Sequence, residues 1–173
     1  VPTVHNADGF AVLGDDDVVS WGALLDPQYA GRVILQSDPA IGAFDMLLAL
    51  QATGQMRPAN LANLSLEEID TLVAHLTRLR SAGQFHRIWN DESEAIDAMM
   101  RGAPMIGSLW WSGAIRLKAE GIPVRMVAPV EGCRGWYGGL GLAAHLDGRE
   151  RDAAYEYLNW WLDGSPGAIL ARN

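Results

Sequence analysis

The sequence predicts an α/β fold with a mostly parallel sheet and helices on both faces. Short apolar runs of strand character, such as Val33-Ile34-Leu35, alternate with stretches of helical periodicity, such as Leu66 to Arg80. Those runs are continuously apolar, the pattern of strands covered on both sides. Gly and Pro stand at most of the transitions. A composition of 49% hydrophobic and 20% charged residues over 173 positions is that of a folded domain with a substantial core.

Phe10 to Leu13 reads as a short strand, followed by a solvated turn at Gly14-Asp15-Asp16-Asp17. The Asp triplet lacks the alternate spacing and downstream Glu of a calcium loop, so it reads as a plain loop and no metal site is expected. Trp21 to Leu25 form a short amphipathic turn of helix that Asp26-Pro27 ends, and Gly31 releases the strand Val33 to Leu35. Asp38-Pro39 then opens an apolar helix over Ile41 to Gln51. Ser65 and Glu68 have capping-box spacing before a helix whose apolar residues Leu66, Ile69, Leu72, Val73, Leu76 and Leu79 recur every three or four positions. Phe85 to Trp89 is a strand, and Asp91 and Glu94 repeat the capping-box spacing at the head of a helix to Met100. Pro104 to Leu109 reads as a strand, Ser112 to Glu120 as a helix and Val124 to Ala128 as a strand. A glycine-rich extended segment, Gly135 to Leu142, precedes helices over Glu150 to Leu162 and Ser165 to Ala171.

Several function classes are disfavoured by composition alone. A net charge of -8, with 13 basic residues scattered along the chain, argues against nucleic acid and anionic membranes as partners. No apolar stretch approaches the roughly 18 residues of a membrane span. Cys133 is the single cysteine, which excludes an internal disulfide and a multi-cysteine metal site. The four histidines are dispersed, and no zinc-protease helix, serine-nucleophile elbow or phosphate loop occurs, so neither an enzyme nor a cofactor is expected. Val1 to His5 lack the basic and apolar segments of an export signal.

The run Ser20-Trp21-Gly22-Ala23-Leu24-Leu25-Asp26-Pro27-Gln28-Tyr29-Ala30-Gly31 followed by an apolar strand resembles the spermidine/putrescine-binding proteins of bacterial ABC transporters. Further blocks resemble that family in the same order: Val1-Pro2 to Phe10-Ala11, Trp89-Asn90-Asp91-Glu92-Ser93, Trp110-Trp111-Ser112-Gly113, and Pro129-Val130-Glu131-Gly132 with Gly135-Trp136. Arg101-Gly102-Ala103 departs from it, standing where the family ends a helix in Gly-Glu.

The resemblance implies a periplasmic-binding-protein-like (type II) lobe. Residues 1–13 would then be a hinge-crossing segment, 14–134 the second lobe, and 135–173 a return strand with helices that pack on a first lobe outside this chain. It also implies an exported, periplasmic protein, a small solute as ligand, and ABC permease subunits as partners. A sensory module that detects a solute without transporting it is the alternative. Self-association of this chain through the face left by the other lobe is expected.

Ligands of open α/β lobes sit beyond the carboxyl ends of the strands, here at Ser37-Asp38, Asn90-Asp91 and Trp110-Trp111-Ser112. In the family, an acid matching Asp38 pairs with a ligand amine, and aromatics matching Trp110 and Trp136, the latter beside Tyr137, pack on its methylenes or cationic ends. Asp38 and Asp91 are equally good helix N-caps. By strand alternation one of Trp110 and Trp111 is expected to be buried, and Trp21, Trp160 and Trp161 to pack helices on the sheet. Polyamine binders of the family carry two further acids where this chain has Ile41 and Gly138, which points to a smaller or singly charged amine, an amino-acid-like compound or another organic solute. Free helix N-termini at these turns favour anions, and Asp38 and Asp91 oppose them.

Overall fold

The computed structural model describes residues 1–102 and 105–170. The strands are β1 Pro2–Asp8, β2 Phe10–Leu13, β3 Val33–Gln36, β4 Phe85–Trp89, β5 Ile106–Gly107, β6 Val124–Val127 and β7 Arg134–Gly139. The α-helices are α1 Phe44–Ala52, α2 Leu66–Ser81, α3 Glu92–Met100, α4 Trp111–Ala119, α5 Gly148–Leu162 and α6 Ser165–Leu170. They fall into two compact units, Gly9–Arg134 in one and Val1–Asp8 with Gly135–Asn173 in the other.

The larger unit is built on a five-stranded sheet of order β4-β3-β5-β2-β6. β3 is parallel to both β4 and β5, while β2 is antiparallel to both β5 and β6. It follows that β3, β4, β5 and β6 run one way and β2 alone runs against them. The sheet is therefore mixed in its pairing and largely parallel in its strand directions.

Strand alternation sends successive side chains into two cores. Phe10, Val12, Val33 and Leu35 join Trp21, Leu24, Tyr29 and Met46 on one face. Ala11, Leu13 and Ile34 join Ile96, Met99, Ala114 and Leu117 on the other. Helices thus cover both faces, and each of these large apolar side chains stabilises the fold by about 1.5–3 kcal/mol when buried.

Local signals place most elements, and two give way to tertiary packing. The Ser65 capping box forms, with Ser65 N–H donating to Glu68 at 2.7 Å and Glu68 N–H to Ser65 Oγ at 3.2 Å. The backbone N–H of Ser65 first, and that of Ala59 at 3.0 Å after it, hold the Glu68 carboxyl below its ordinary range. The second box does not form, because Glu94 pairs instead with Arg87 of β4 at 3.0 Å and Asp91 alone caps α3.

The helix expected from Ile41 starts as a π-helical turn, Pro39–Ala43, and becomes α-helical at Phe44. There the chain passes so close to β3 that a Cβ on Gly42 would lie 1.8 Å from the Gln36 carbonyl oxygen. Of the strand expected over Pro104 to Leu109, Ile106–Gly107 is the described part, and Pro104 lies outside the described residues, as do Ala103 and Ala171.

In the smaller unit β1 pairs with β7. Val1 and Leu140 close that ladder, the Val1 nitrogen donating to Leu140 O at 2.8 Å and Leu140 N–H to Val1 O at 2.9 Å. Trp160, expected to pack on the sheet, is instead exposed on α5 and stacks on Tyr157 with ring centroids 5.7 Å apart. Its helix belongs to a unit whose sheet has only two strands, too small a platform to cover it.

Candidate functional site

The turns that follow β3, β4 and β5 are joined into one rim by hydrogen bonds. Ser37 N–H donates to Trp89 O at 2.9 Å, and the Ser37 hydroxyl lies 2.6 Å from Asn90 Oδ1. Ser108 N–H donates to Ile34 O at 3.0 Å, and the Trp89 indole N–H donates to Ser108 O at 3.1 Å. Gly107 makes the approach of β5 to Ile34 possible. Its φ is +142°, and a Cβ on it would lie 1.8 Å from Ile34 O.

Three carboxylates close the N-terminal ends of the elements at this rim. Asp38 Oδ1 accepts Ala40 N–H at 2.7 Å and so caps the π turn. Asp91 Oδ1 accepts Ser93 N–H at 2.9 Å, and hydrogen bonds from the Ser93 side chain and backbone hold its carboxyl below the usual range. Glu92, which the sequence reading does not single out, reaches across to the N-terminus of α4. It accepts Trp110 N–H and Gly113 N–H, both at 3.2 Å, and the Ser112 hydroxyl at 2.9 Å. An acid in the first turn of α3 reads from sequence as a local helix feature, and its partners 18 to 21 residues away leave no local signal.

Asp38, Ser37, Asp91, Trp110, Trp111 and Ser112 therefore share this rim, with Asp38, Ser37 and Asp91 exposed. Trp110 and Trp111 are 38% and 46% exposed, against the expectation that one is buried. Alternation does not apply because β5 has already ended, and the two residues are the N-cap and first residue of α4. The buried aromatic here is Trp89, against which Trp110 stands edge-on at 5.4 Å and 82°. Trp136 and Tyr137 lie on β7 in the other unit, where they are 38% and 79% exposed. In that same unit a Cβ on Gly138 would meet the Val4 side chain at 2.9 Å, so the strand has little room for a larger residue there.

Two of the sequence blocks prove to hold each other. The Ser20 hydroxyl and Trp21 N–H both donate to Glu131, and the Trp21 indole donates to Gly132 O at 2.8 Å. Among the described residues no group of His, Cys, Asp and Glu is arranged to hold a metal ion, and no helix is long and apolar enough to cross a membrane. A cavity of about 490 Å³ lies elsewhere, lined by residues of β4, α3 and the approach to β5, including His86, Asp97 and Arg101.

The family described as bacterial extracellular solute-binding protein matches residues 6–169. The spermidine/putrescine-binding periplasmic protein of Escherichia coli is 25% identical over 167 residues, which cover 94% of this chain and 44% of that protein. Among solved structures, the spermidine/putrescine ABC transporter substrate-binding protein of Streptococcus pneumoniae is similar over 94% of this chain and 47% of its own, with a TM-score of 0.67 and 18% identity. A periplasmic binding protein of Actinobacillus pleuropneumoniae with fructose-6-phosphate bound is similar over 93% of this chain and 48% of its own, with a TM-score of 0.58 and 18% identity. The chain thus spans just under half the length of the relatives it matches.

Proposed function

The chain belongs to the bacterial extracellular solute-binding proteins, and from that premise we propose that it supplies one lobe of a cleft for a small organic amine, which the whole protein would deliver to an ABC permease in the periplasm. The observation that carries the choice of ligand is the occupation of the rim by the chain's own carboxylates. A free helix N-terminus offers backbone N–H groups and a positive potential to an anion. Here Asp38, Asp91 and Glu92 already take those donors. What the rim presents outward is negative charge beside the exposed rings of Trp110 and Trp111, a combination that favours a cation with an apolar body.

Asp38 is the proposed counter-charge for the ammonium group, with Ser37, Asp91 and Ser112 as polar neighbours. Trp110 and Trp111 would pack on its methylenes. Trp136 and Tyr137 are proposed as further contacts on the family resemblance, supported by their exposure on β7. The tight approach of Val4 to Gly138 disfavours a second acid at that position, which supports a single ammonium over a long polyamine.

The test is a thermal-shift and calorimetric screen of a full-length protein carrying this chain. Choline, putrescine, spermidine, amino acids, sugars and sugar phosphates make up the panel. A ligand at 100 times its Kd adds about 2.7 kcal/mol to stability. Binding of an amine with no response to the sugar phosphates supports the proposal, and the reverse pattern discards it.

A further inference from the structure

A buried polar network lies beneath the rim. Asp45, in the first turn of α1, is fully buried, and both its carboxylate oxygens are engaged. Oδ2 accepts the Ser108 hydroxyl at 2.6 Å, and Oδ1 accepts Arg134 Nε at 3.1 Å. The Arg134 side chain is itself only 11% exposed. Enclosing an ion pair this completely carries a desolvation penalty that can cancel its attraction, so added stability alone is a weak account of it.

The positions of its members give a stronger one. Ser108 follows β5 directly, its carbonyl holds the Trp89 indole, and Trp89 supports Trp110 edge-on. Arg134 is the last residue of the larger unit and the first of β7. One carboxylate therefore grips both the strand end that presents Trp110 and the point at which the chain leaves that unit. We infer that Asp45 is a positioning residue: it sets the placement of Trp110 and the course of the chain at Arg134 together, so that a change at either is felt at the other. The effect on ligand binding rests on the amine-cleft reading above, whereas the coupling does not depend on it.

Hydrogen exchange read by mass spectrometry, on the ligand-free full-length protein, tests the coupling. Arg134→Gln is expected to raise amide exchange over residues 108–113 by about tenfold relative to α2, the ordinary range for coupled positions. Arg134→Lys keeps the charge and is expected to restore most of the protection. Glu68→Gln, in the remote capping box, is expected to loosen α2 and leave residues 108–113 as they were. An Arg134→Gln protein with unchanged exchange at 108–113, or with exchange raised equally throughout the larger unit, overturns the inference.

Calorimetric titration with spermidine, putrescine and choline adds the second readout. Arg134→Gln is expected to weaken whichever of these binds by about tenfold, with Arg134→Lys between it and the parent. Unchanged affinity overturns the role in binding. If none of the three binds the parent protein, the amine-cleft reading falls and the exchange experiment alone decides the inference.

Discussion

Asp38 is both a helix cap and the proposed counter-charge for the ligand, and Asp38→Asn separates the two roles. As an N-cap its carboxylate accepts Ala40 N–H at 2.7 Å. Asparagine caps about as well as aspartate, whereas alanine forfeits about 1 kcal/mol. The charge, by contrast, disappears in Asp38→Asn. A hydrogen bond to a charged group contributes about 1.5–3 kcal/mol, which corresponds to roughly 10–150-fold in Kd. Asp38→Asn should therefore leave thermal stability within about 0.5 kcal/mol of the parent and weaken amine binding by one to two orders of magnitude, read by calorimetry at low salt. Asp38→Ala should lose both. An Asp38→Asn protein that binds the amine as tightly as the parent would refute the counter-charge role and leave Asp38 as a cap.

Four other perturbations address the fold and the rim. Gly107→Ala places a Cβ 1.8 Å from Ile34 O in a backbone conformation unsuited to alanine, and should cost at least about 2 kcal/mol in denaturant unfolding; a stable Gly107→Ala protein would show that β3 and β5 can separate freely. Glu92→Ala removes the acceptor for the N–H groups of Trp110 and Gly113 at the head of α4, and should cost about 1 kcal/mol and change the near-ultraviolet signal of the tryptophans; no change in either would remove Glu92 from the rim. Because the Glu68 carboxyl is held below its ordinary range, its contribution is present above the unfolded-state pKa and lost as pH falls through the folded one, so stability should drop on acidification less steeply in Glu68→Gln than in the parent. Tyr155, Trp160 and Leu162 leave α5 about half exposed, and this chain alone should associate with rising concentration in sedimentation; a strict monomer throughout would count against that.

Much of the architecture could be read along the chain because it is set by local chemistry. The apolar run at Val33, the capping box at Ser65 and the helical periodicity after it are properties of neighbouring residues, and the strands and helices formed where those signals stand. The failures occurred where a distant partner outcompeted a local one. Glu94 had the spacing to cap α3 but met Arg87 of β4, and a charge-assisted pair displaced the box. By strand alternation Trp110 and Trp111 would face opposite ways, yet β5 stops at Gly107 and these two residues begin α4.

The rim shows the same division in a form that bears on function. Asp38 and Asp91 are legible as caps because a cap is a bond to a residue two positions away. Glu92 and Asp45 are not, since their bonds run to residues 18 and 63 positions distant. In the amine reading these two would set what the rim accepts: Glu92 takes up N–H groups that an anion would use, and Asp45 holds the turn that leads to Trp110. Motif matching along the chain proposes residues that would touch a ligand, and the fold adds carboxylates that, in the amine reading, would set its charge. For this reason the Asp38→Asn experiment is best read beside Glu92→Gln, which removes charge while keeping an acceptor for Trp110 N–H. If the negative rim selects the cation as a whole, Glu92→Gln should weaken amine binding by a smaller factor than Asp38→Asn and in proportion to its screening by salt. Equal affinity in Glu92→Gln at every ionic strength would remove Glu92 from the selection and leave it to Asp38 and Asp91.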